Sequence, residues 1–319
     1  MDIRIEVVDP HNCARTAADI LNEAWKPPCL HYSTSYISWQ FGFPAVRPVR
    51  VVMAFVDDRP VGVAAVTPRQ VMYGTQTFVA YILSFVAVVP AARGSGLGAA
   101  LYDRLLDTVG REVPVIAFTE ADSPGEKLLR DAFARASFSH KPLGSCRSIG
   151  YVASLPGAPT GASVISTDSY DAFMSARLPP PDSSTIWNCP SIEQWQHYRS
   201  DPRGRQLLVV RNPEGSSIGS AMVVTAEISS HHGIQRVWML ESVSVGQEAP
   251  EALAAIVQFA AASDRTISPS IVASNLSYLN AGTIRKSGGR AIPAGFNAHV
   301  FTKDGHPVGM AETLNLEVT

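Results

Sequence analysis

The 319-residue sequence has no surplus of either charge: 26 Lys and Arg stand against 28 Asp and Glu, a formal charge of −2. That balance gives no basic footprint for nucleic acid or an anionic membrane surface, and no acidic tail. Long apolar runs are absent as well. The longest, Phe78 to Val89 with Ser84 inside it, falls short of the ~20 residues that span a bilayer. The opening Met1-Asp2-Ile3-Arg4-Ile5-Glu6 lacks the basic-then-apolar order of a secretory signal. Cys13, Cys29, Cys146 and Cys189 stand far apart with no C-x-x-C, so neither a zinc site nor a disulfide framework is implied. What remains is a cytoplasmic globular chain: 46% apolar residues supply a core, and 17% charged residues are too few for disorder. At ~150 residues per domain, the length predicts about two domains.

Pro/Gly-rich punctuation agrees. Leu155-Pro-Gly-Ala-Pro-Thr-Gly161 cannot continue a helix or an inner strand, so it marks a boundary between a domain of 1–154 and another of 162–319. In the first, alternation predicts strands at 3–8, 49–56, 60–67 and 77–88, and helices at 13–25 and 35–41. A Gly-rich turn, a helix (97–109), a strand (113–119) and a helix (125–136) follow. The second half echoes the first. Ser35–Gln40 resembles Ser191–Gln196 at an offset of 156, while Gly62 matches Gly219 and Ser84–Val88 matches Glu241–Val245 at 157. The expectation is a duplicated α/β module.

The informative segment is Val86-Ala-Val-Val-Pro90-Ala-Ala-Arg93-Gly94-Ser95-Gly96-Leu97-Gly98. A buried strand ends at Pro90, and a short loop opens a helix with apolar residues at 97, 101, 105 and 109. Glycines at 94, 96 and 98 let the backbone approach a ligand closely. Loop N–H groups and the positive helix end together suit a pyrophosphate. Arg93 either adds a charge-assisted contact or orients the loop. No Lys-Ser/Thr follows the glycines, as a nucleoside-triphosphate loop would need. The spacing is not the dinucleotide G-x-G-x-x-G either.

This segment resembles motif A of the GCN5-related N-acetyltransferases (GNAT), V-x-P-x-x-R/Q-x-x-G-x-G/A, and fits every fixed position. The element order of residues 1–150 resembles that family too. The resemblance implies two tandem GNAT-like α/β modules, each a mixed, largely antiparallel sheet flanked by helices, the second degenerate. It implies acetyl-CoA as co-substrate, with the pyrophosphate on the amides of Arg93, Gly94, Ser95, Gly96, Leu97 and Gly98. Val86, Ala87 and Val88 would pair with the pantetheine arm. The implied reaction is attack of a small-molecule primary amine on the thioester, which needs a base for the amine, pKa near ~10.4. It also needs an N–H for the developing oxyanion and a proton for the departing thiolate.

The chain departs from the family pattern at three points. Ser84 stands where the strand acid usually lies, Phe133 replaces the helix-4 tyrosine, and Ser123 takes the place of the usual Asn. Candidates left near the site are Glu120, first for the base, with Asp122, Tyr81 and Tyr102. In the second half, Glu248 and Glu251 fall where a pyrophosphate would sit and would repel it. Glu241, at the strand-acid position, is a candidate for recognising a cationic acceptor. Two other readings stay open: transfer of a longer acyl chain from acyl-CoA or an acyl carrier protein, and a CoA-binding sensor without turnover.

Overall fold

A computed structural model describes the chain except residues 1, 121–122, 153–160, 178–183, 247–248, 265, 268–269, 274–275, 277, 304 and 317–319. The first half runs β1 (Ile3–Val8), α1 (Pro10–Ala24), β2 (Cys29–His31), α2 (Thr34–Phe41), β3 (Arg50–Val56), β4 (Arg59–Tyr73), β5 (Gln76–Val88), α3 (Leu97–Leu106), β6 (Val115–Glu120), α4 (Pro124–Arg135) and β7 (Ser139–Val152). The second runs β8 (Ser163–Ser166), α5 (Tyr170–Ala176), β9 (Thr185–Asn188), α6 (Ile192–Arg199), β10 (Gln206–Arg211), β11 (Ser217–Ser230), β12 (Gly233–Val245), α7 (Pro250–Ser263), β13 (Ser270–Ala273), α8 (Ala281–Lys286), β14 (Arg290–Thr302) and β15 (Thr313–Asn315). This is the expected α/β class, with the plan of one half repeated in the other. No helix among the described residues is long and apolar enough to cross a membrane.

Strand pairing follows one continuous path, β1-β3-β4-β5-β6-β14-β7-β13-β12-β11-β10-β8. The two halves trade their last long strands at its centre. β14, from the second half, pairs with β6 (Phe296↔Glu120 to Phe301↔Val115), while β7, from the first, pairs with β13. The exchange is reciprocal elsewhere too: β2 lies along β11, and β9 lies along β4. No periodicity announces this, because an edge strand pairs equally well with its own module or a neighbour's.

Side chains fix the pseudo-two-fold. Ser33 and Ser191 are the N-caps of α2 and α6, accepting from Tyr36 N and Gln194 N at 3.2 and 3.3 Å, which stabilises each helix start by roughly 1 kcal/mol. The equivalence is therefore 158 rather than the 156 read from Ser35 and Ser191. It sets Trp39 against His197, whose rings stack at 4.9 Å. Trp39 Nε1 donates to the His197 carbonyl, and His197 Nε2 faces the Trp39 carbonyl, both at 2.9 Å. The strand matches at 157 hold. Gly62↔Val88 recurs as Gly219↔Val245, and the same register shift interrupts both hairpins.

β4 runs to Tyr73, past the expected end near Thr67. Pro68 is tolerated because β3 stops pairing at Arg50↔Val66, leaving no partner that a proline N–H would have bonded. α1, α2 and their partners bury Ile37, Trp195, Tyr198 and Phe173 on one face of the first sheet. α3 and α4 bury Leu101, Leu105, Leu129 and Phe133 on the other. Phe301 of β14 lies within that second cluster, stacked on Phe133 at 3.9 Å.

The first half thus borrows core and sheet edge from the second. A fragment of residues 1–154 exposes the β6 edge and loses Phe301. It should aggregate or lack a cooperative circular-dichroism melt, and co-expression with 162–319 should restore both solubility and melt.

Candidate functional site

The site begins where the sheet opens. β5 and β6 run parallel through Tyr81↔Val115, Ile82↔Ile116 and Leu83↔Ala117 and then part. On the other side of β5, pairing to β4 jumps from Ala65↔Ser84 to Val63↔Ala87. Phe85, at the bulge, has φ 59°, a conformation a bulky residue adopts only under constraint from its surroundings. Its ring is held edge-on by Tyr32, Tyr36 and Phe41, at 5.8, 6.4 and 6.1 Å between centroids. Ser84–Val88 therefore form one wall of a V-shaped gap and Phe118–Glu120 the other.

The gap leads to the glycine loop. After Val89, Pro90–Ala92 make one 3₁₀ turn, and α3 starts at Leu97. Gly94 and Gly96 both have φ 81°, which L side chains rarely adopt, and a Cβ at either would meet nothing within 4 Å. The surroundings are open. Among the described residues, no group accepts from the amides of Gly94, Ser95, Gly96, Leu97, Gly98 or Ala99. They combine loop N–H groups with the unsatisfied first turn of a helix, a ready anion site.

Arg93 takes the second of its two expected roles. Its Nε donates to the Val88 carbonyl at 3.1 Å and its guanidinium to the Ala24 carbonyl, so it ties the loop to the end of α1. Ser95 Oγ donates to the Ala92 carbonyl at 2.6 Å and closes the turn from within. Ser123 caps α4, accepting from Glu126 N at 3.2 Å, so its oxygen serves a helix end rather than lying open for CoA.

Tyr81 is not at the gap. It lies two residues before the last β5–β6 pair, and its hydroxyl donates to the Pro48 carbonyl at 3.1 Å, an anchor for the chain entering β3. Tyr102 is buried on α3, and burial raises its pKa further from neutrality. Ser84 is buried at the bulge. Glu120 is exposed at the open end of β6. Asp122 and Glu248 lie outside the described residues.

Glu241 is corrected as a receptor for a cation. It is buried, with Arg205 Nη1 at 2.7 Å and Arg203 Nη1 at 3.4 Å, and both arginines reach Asp201 at 2.9 Å. Two acids and two bases already neutralise each other. Arg203 lies over the Tyr36 ring at 4.1 Å, and Arg205 over Tyr198 at 4.8 Å. Burial pushes the Asp201 carboxyl up, but Arg205 and Arg203 outweigh it and hold it below its ordinary value. Sequence cannot find this quartet, because Asp201, Arg203 and Arg205 carry no visible relation to a residue 36 positions or more away.

The second half repeats the opening and fills it. β12 and β13 part after Leu240↔Ala273, and Ser242, with φ 49°, matches Phe85. There Tyr278 Oη donates to the Val243 carbonyl at 2.9 Å and accepts from Val245 N at 3.2 Å, while Asn315 Nδ2 donates to the same carbonyl at 2.6 Å. The wall that a pantetheine arm would pair with is occupied by the chain itself. At an offset of 157 the corresponding groups in the first half are the Val86 carbonyl and the Val88 amide, which no described side chain bonds. Glu251 is exposed in the first turn of α7.

The sequence model of the "Acetyltransferase (GNAT) family" matches residues 14–128. The match covers less than half of the 319-residue chain. No curated protein sequence matches the chain. Solved structures share the fold across both halves. A Saccharomyces cerevisiae N-myristoyltransferase with bound myristoyl-CoA is 10% identical, with TM-score 0.71 over 99% of this chain and 87% of that one. A tandem GNAT protein from the clavulanic acid biosynthesis pathway is 11% identical, with TM-score 0.63 over 96% and 99%. A putative acetyltransferase from Pyrococcus horikoshii is 15% identical, with TM-score 0.59 over 98% and 94%. The matched segment thus lies in the first half of a fold that these structures share along nearly the whole chain.

Arg205→Met leaves Arg203 alone to counter both Glu241 and Asp201 in a buried setting and should cost about 3–5 kcal/mol in urea denaturation. Because folding depresses the Asp201 pKa, its stabilisation is present at neutral pH and is lost as pH falls below the ordinary carboxylate range, ~4. Asp201→Asn should therefore flatten the decline of the melting temperature with acidification, besides lowering it at pH 7.

Proposed function

We propose that the GNAT domain transfers an acetyl group from acetyl-CoA to the primary amine of a small molecule by direct attack. The observation that carries this is the run of uncommitted amides from Gly94 to Ala99 at the mouth of the β5–β6 gap. A pyrophosphate on those amides directs the pantetheine arm along Val86–Val88 and brings the thioester to the bulge. The free N–H groups there stabilise the charge that develops on the carbonyl oxygen. Glu120, at the open end of the same gap, is the group we assign to accept the amine proton, directly or through water.

Aromatic packing supports a short acyl group. Phe85, Tyr32, Tyr36 and Phe41 fill the volume behind the bulge on the α1–α2 side, where a long chain would have to lie. The likeness to an N-myristoyltransferase favours a second reading, transfer of a longer chain from acyl-CoA or an acyl carrier protein.

Calorimetric titration with acetyl-CoA should give saturable binding. Gly96→Asp places a carboxylate and a disfavoured φ beside the phosphates and should weaken it at least about 100-fold, some 2.7 kcal/mol. Absence of binding, or an unaffected variant, defeats the reading. Thiol release over an amine panel separates transfer from a silent CoA sensor, and Glu120→Gln should lower kcat by roughly 100-fold or more. Across acyl-CoA chain lengths, acetyl should turn over best, and Phe85→Gly, which removes the ring and relieves the positive φ, should move the optimum to longer chains.

A further inference from the structure

The departing thiolate needs a proton, and Phe133, fully buried against Phe301, has none to give. A polar network lies one strand away on the same face of the sheet. Thr119 of β6 stands two residues beyond the last β5–β6 pair, Leu83↔Ala117, on the face that α3 and α4 cover. Its Oγ1 is 2.9 Å from His299 Nε2, and His299 Nδ1 is 3.0 Å from His140 Nε2. His299 comes from β14, the strand contributed by the second half, and is 1% exposed. His140, on β7, is exposed to solvent. The network thus runs from the wall of the gap, through a buried imidazole, to water.

We propose that Thr119 donates the proton to the CoA sulfur and that His299 and His140 resupply it from solvent. This rests on the acyl-transfer reading above. The direction follows from the hydrogen bonds. If His140 Nε2–H donates to His299 Nδ1, then His299 Nε2–H donates to Thr119 Oγ1, and the threonine O–H is left to donate outward into the gap. As the C–S bond breaks, the sulfur takes its electron pair and the Thr119 proton. Thr119 takes the His299 Nε2 proton, His299 Nδ1 takes the His140 Nε2 proton, and water reprotonates His140 at Nδ1. The amine's own proton leaves by Glu120, so protons balance.

Charged groups around the imidazoles are consistent with this. From α4, Glu126 Oε1 is 3.6 Å from His299 Nε2, and its other oxygen accepts from Asn297 Nδ2 at 3.1 Å. Burial lowers the His299 pKa to about 4, with Glu126 opposing and His140 and Arg130 adding to the effect. At neutral pH His299 is therefore uncharged and passes a proton on rather than storing it. Burial and Arg130 also lower the His140 pKa, against Glu126. Thr119 touches the reacting sulfur in this scheme and is the catalytic residue; His299 and His140 act through it.

The test reads the thiol itself. In a complex of the full chain with CoA, the thiolate absorbance should titrate about one unit below free CoA, a tenfold change. Thr119→Ser should keep that shift and Thr119→Val abolish it. With acetyl-CoA and an accepted amine, Thr119→Val should lose about 100-fold in kcat with an unchanged KM. The exposed His140→Gln should lose on the order of tenfold and show a smaller solvent isotope effect. A thiol that titrates alike in wild type and Thr119→Val, both bound, overturns the relay alone. Lack of CoA binding overturns the relay and the transfer reading together. A thiol shift without turnover of any amine retains the Thr119 contact and rejects the transfer.

Discussion

The structure turns on one interruption of hydrogen bonding. Two parallel strands, β5 and β6, stop pairing after three residues, and the bulge at Phe85 ensures that β4 does not take up the slack. Opening a sheet leaves backbone groups without partners, each costing on the order of 1 kcal/mol or more when buried. The chain resolves this in two ways. In the second half Tyr278 and Asn315 bond the exposed strand, and the sheet closes internally. In the first half the strand and the loop amides beyond it remain available, as the proposed function requires. One geometry therefore gives a filled gap in one half and an open gap in the other, and the difference rests on which side chains reach it.

The strand exchange makes the two halves one unit. β14 lies against β6 and carries Phe301 and His299 beneath α4, while the ring pair Trp39–His197 locks the two helices α2 and α6 across the pseudo-two-fold. A second half without a glycine loop still supplies the sheet edge and the buried imidazole of the first.

Much of this was legible in residue order. Apolar periodicity placed most strands and helices of the first half, and the offset of 157 between Ser84–Val88 and Glu241–Val245 recovered a bulge that recurs at Phe85 and Ser242. Glycine spacing located the loop because positive φ at residues 94 and 96 is a constraint on residue type. What was hidden depends on tertiary partners. Arg93 could be read as a phosphate ligand until the carbonyls of Val88 and Ala24 claimed it, and Glu241 as a receptor until Arg203 and Arg205 did. The β7–β14 exchange left no trace, since an alternating strand pattern names no neighbour. Tyr278 could not be singled out either, because a plug is defined by the gap it fills.

Alternation along β6 adds a constraint on the chemistry. Successive strand residues face opposite sides of a sheet, so Thr119 and Glu120 cannot serve the same side of a thioester held in the gap. Thr119 lies under α4 with Ala117 and Val115; Glu120 shares its parity with Phe118 and Ile116, which pack toward the other face. In the proposed reaction, an amine approaching from the Glu120 side would meet the carbonyl carbon opposite the face on which the sulfur receives its proton. The proposed base and acid would thereby be kept apart on opposite faces of the strand. The adjacency of these two residues in sequence is what separates them in space.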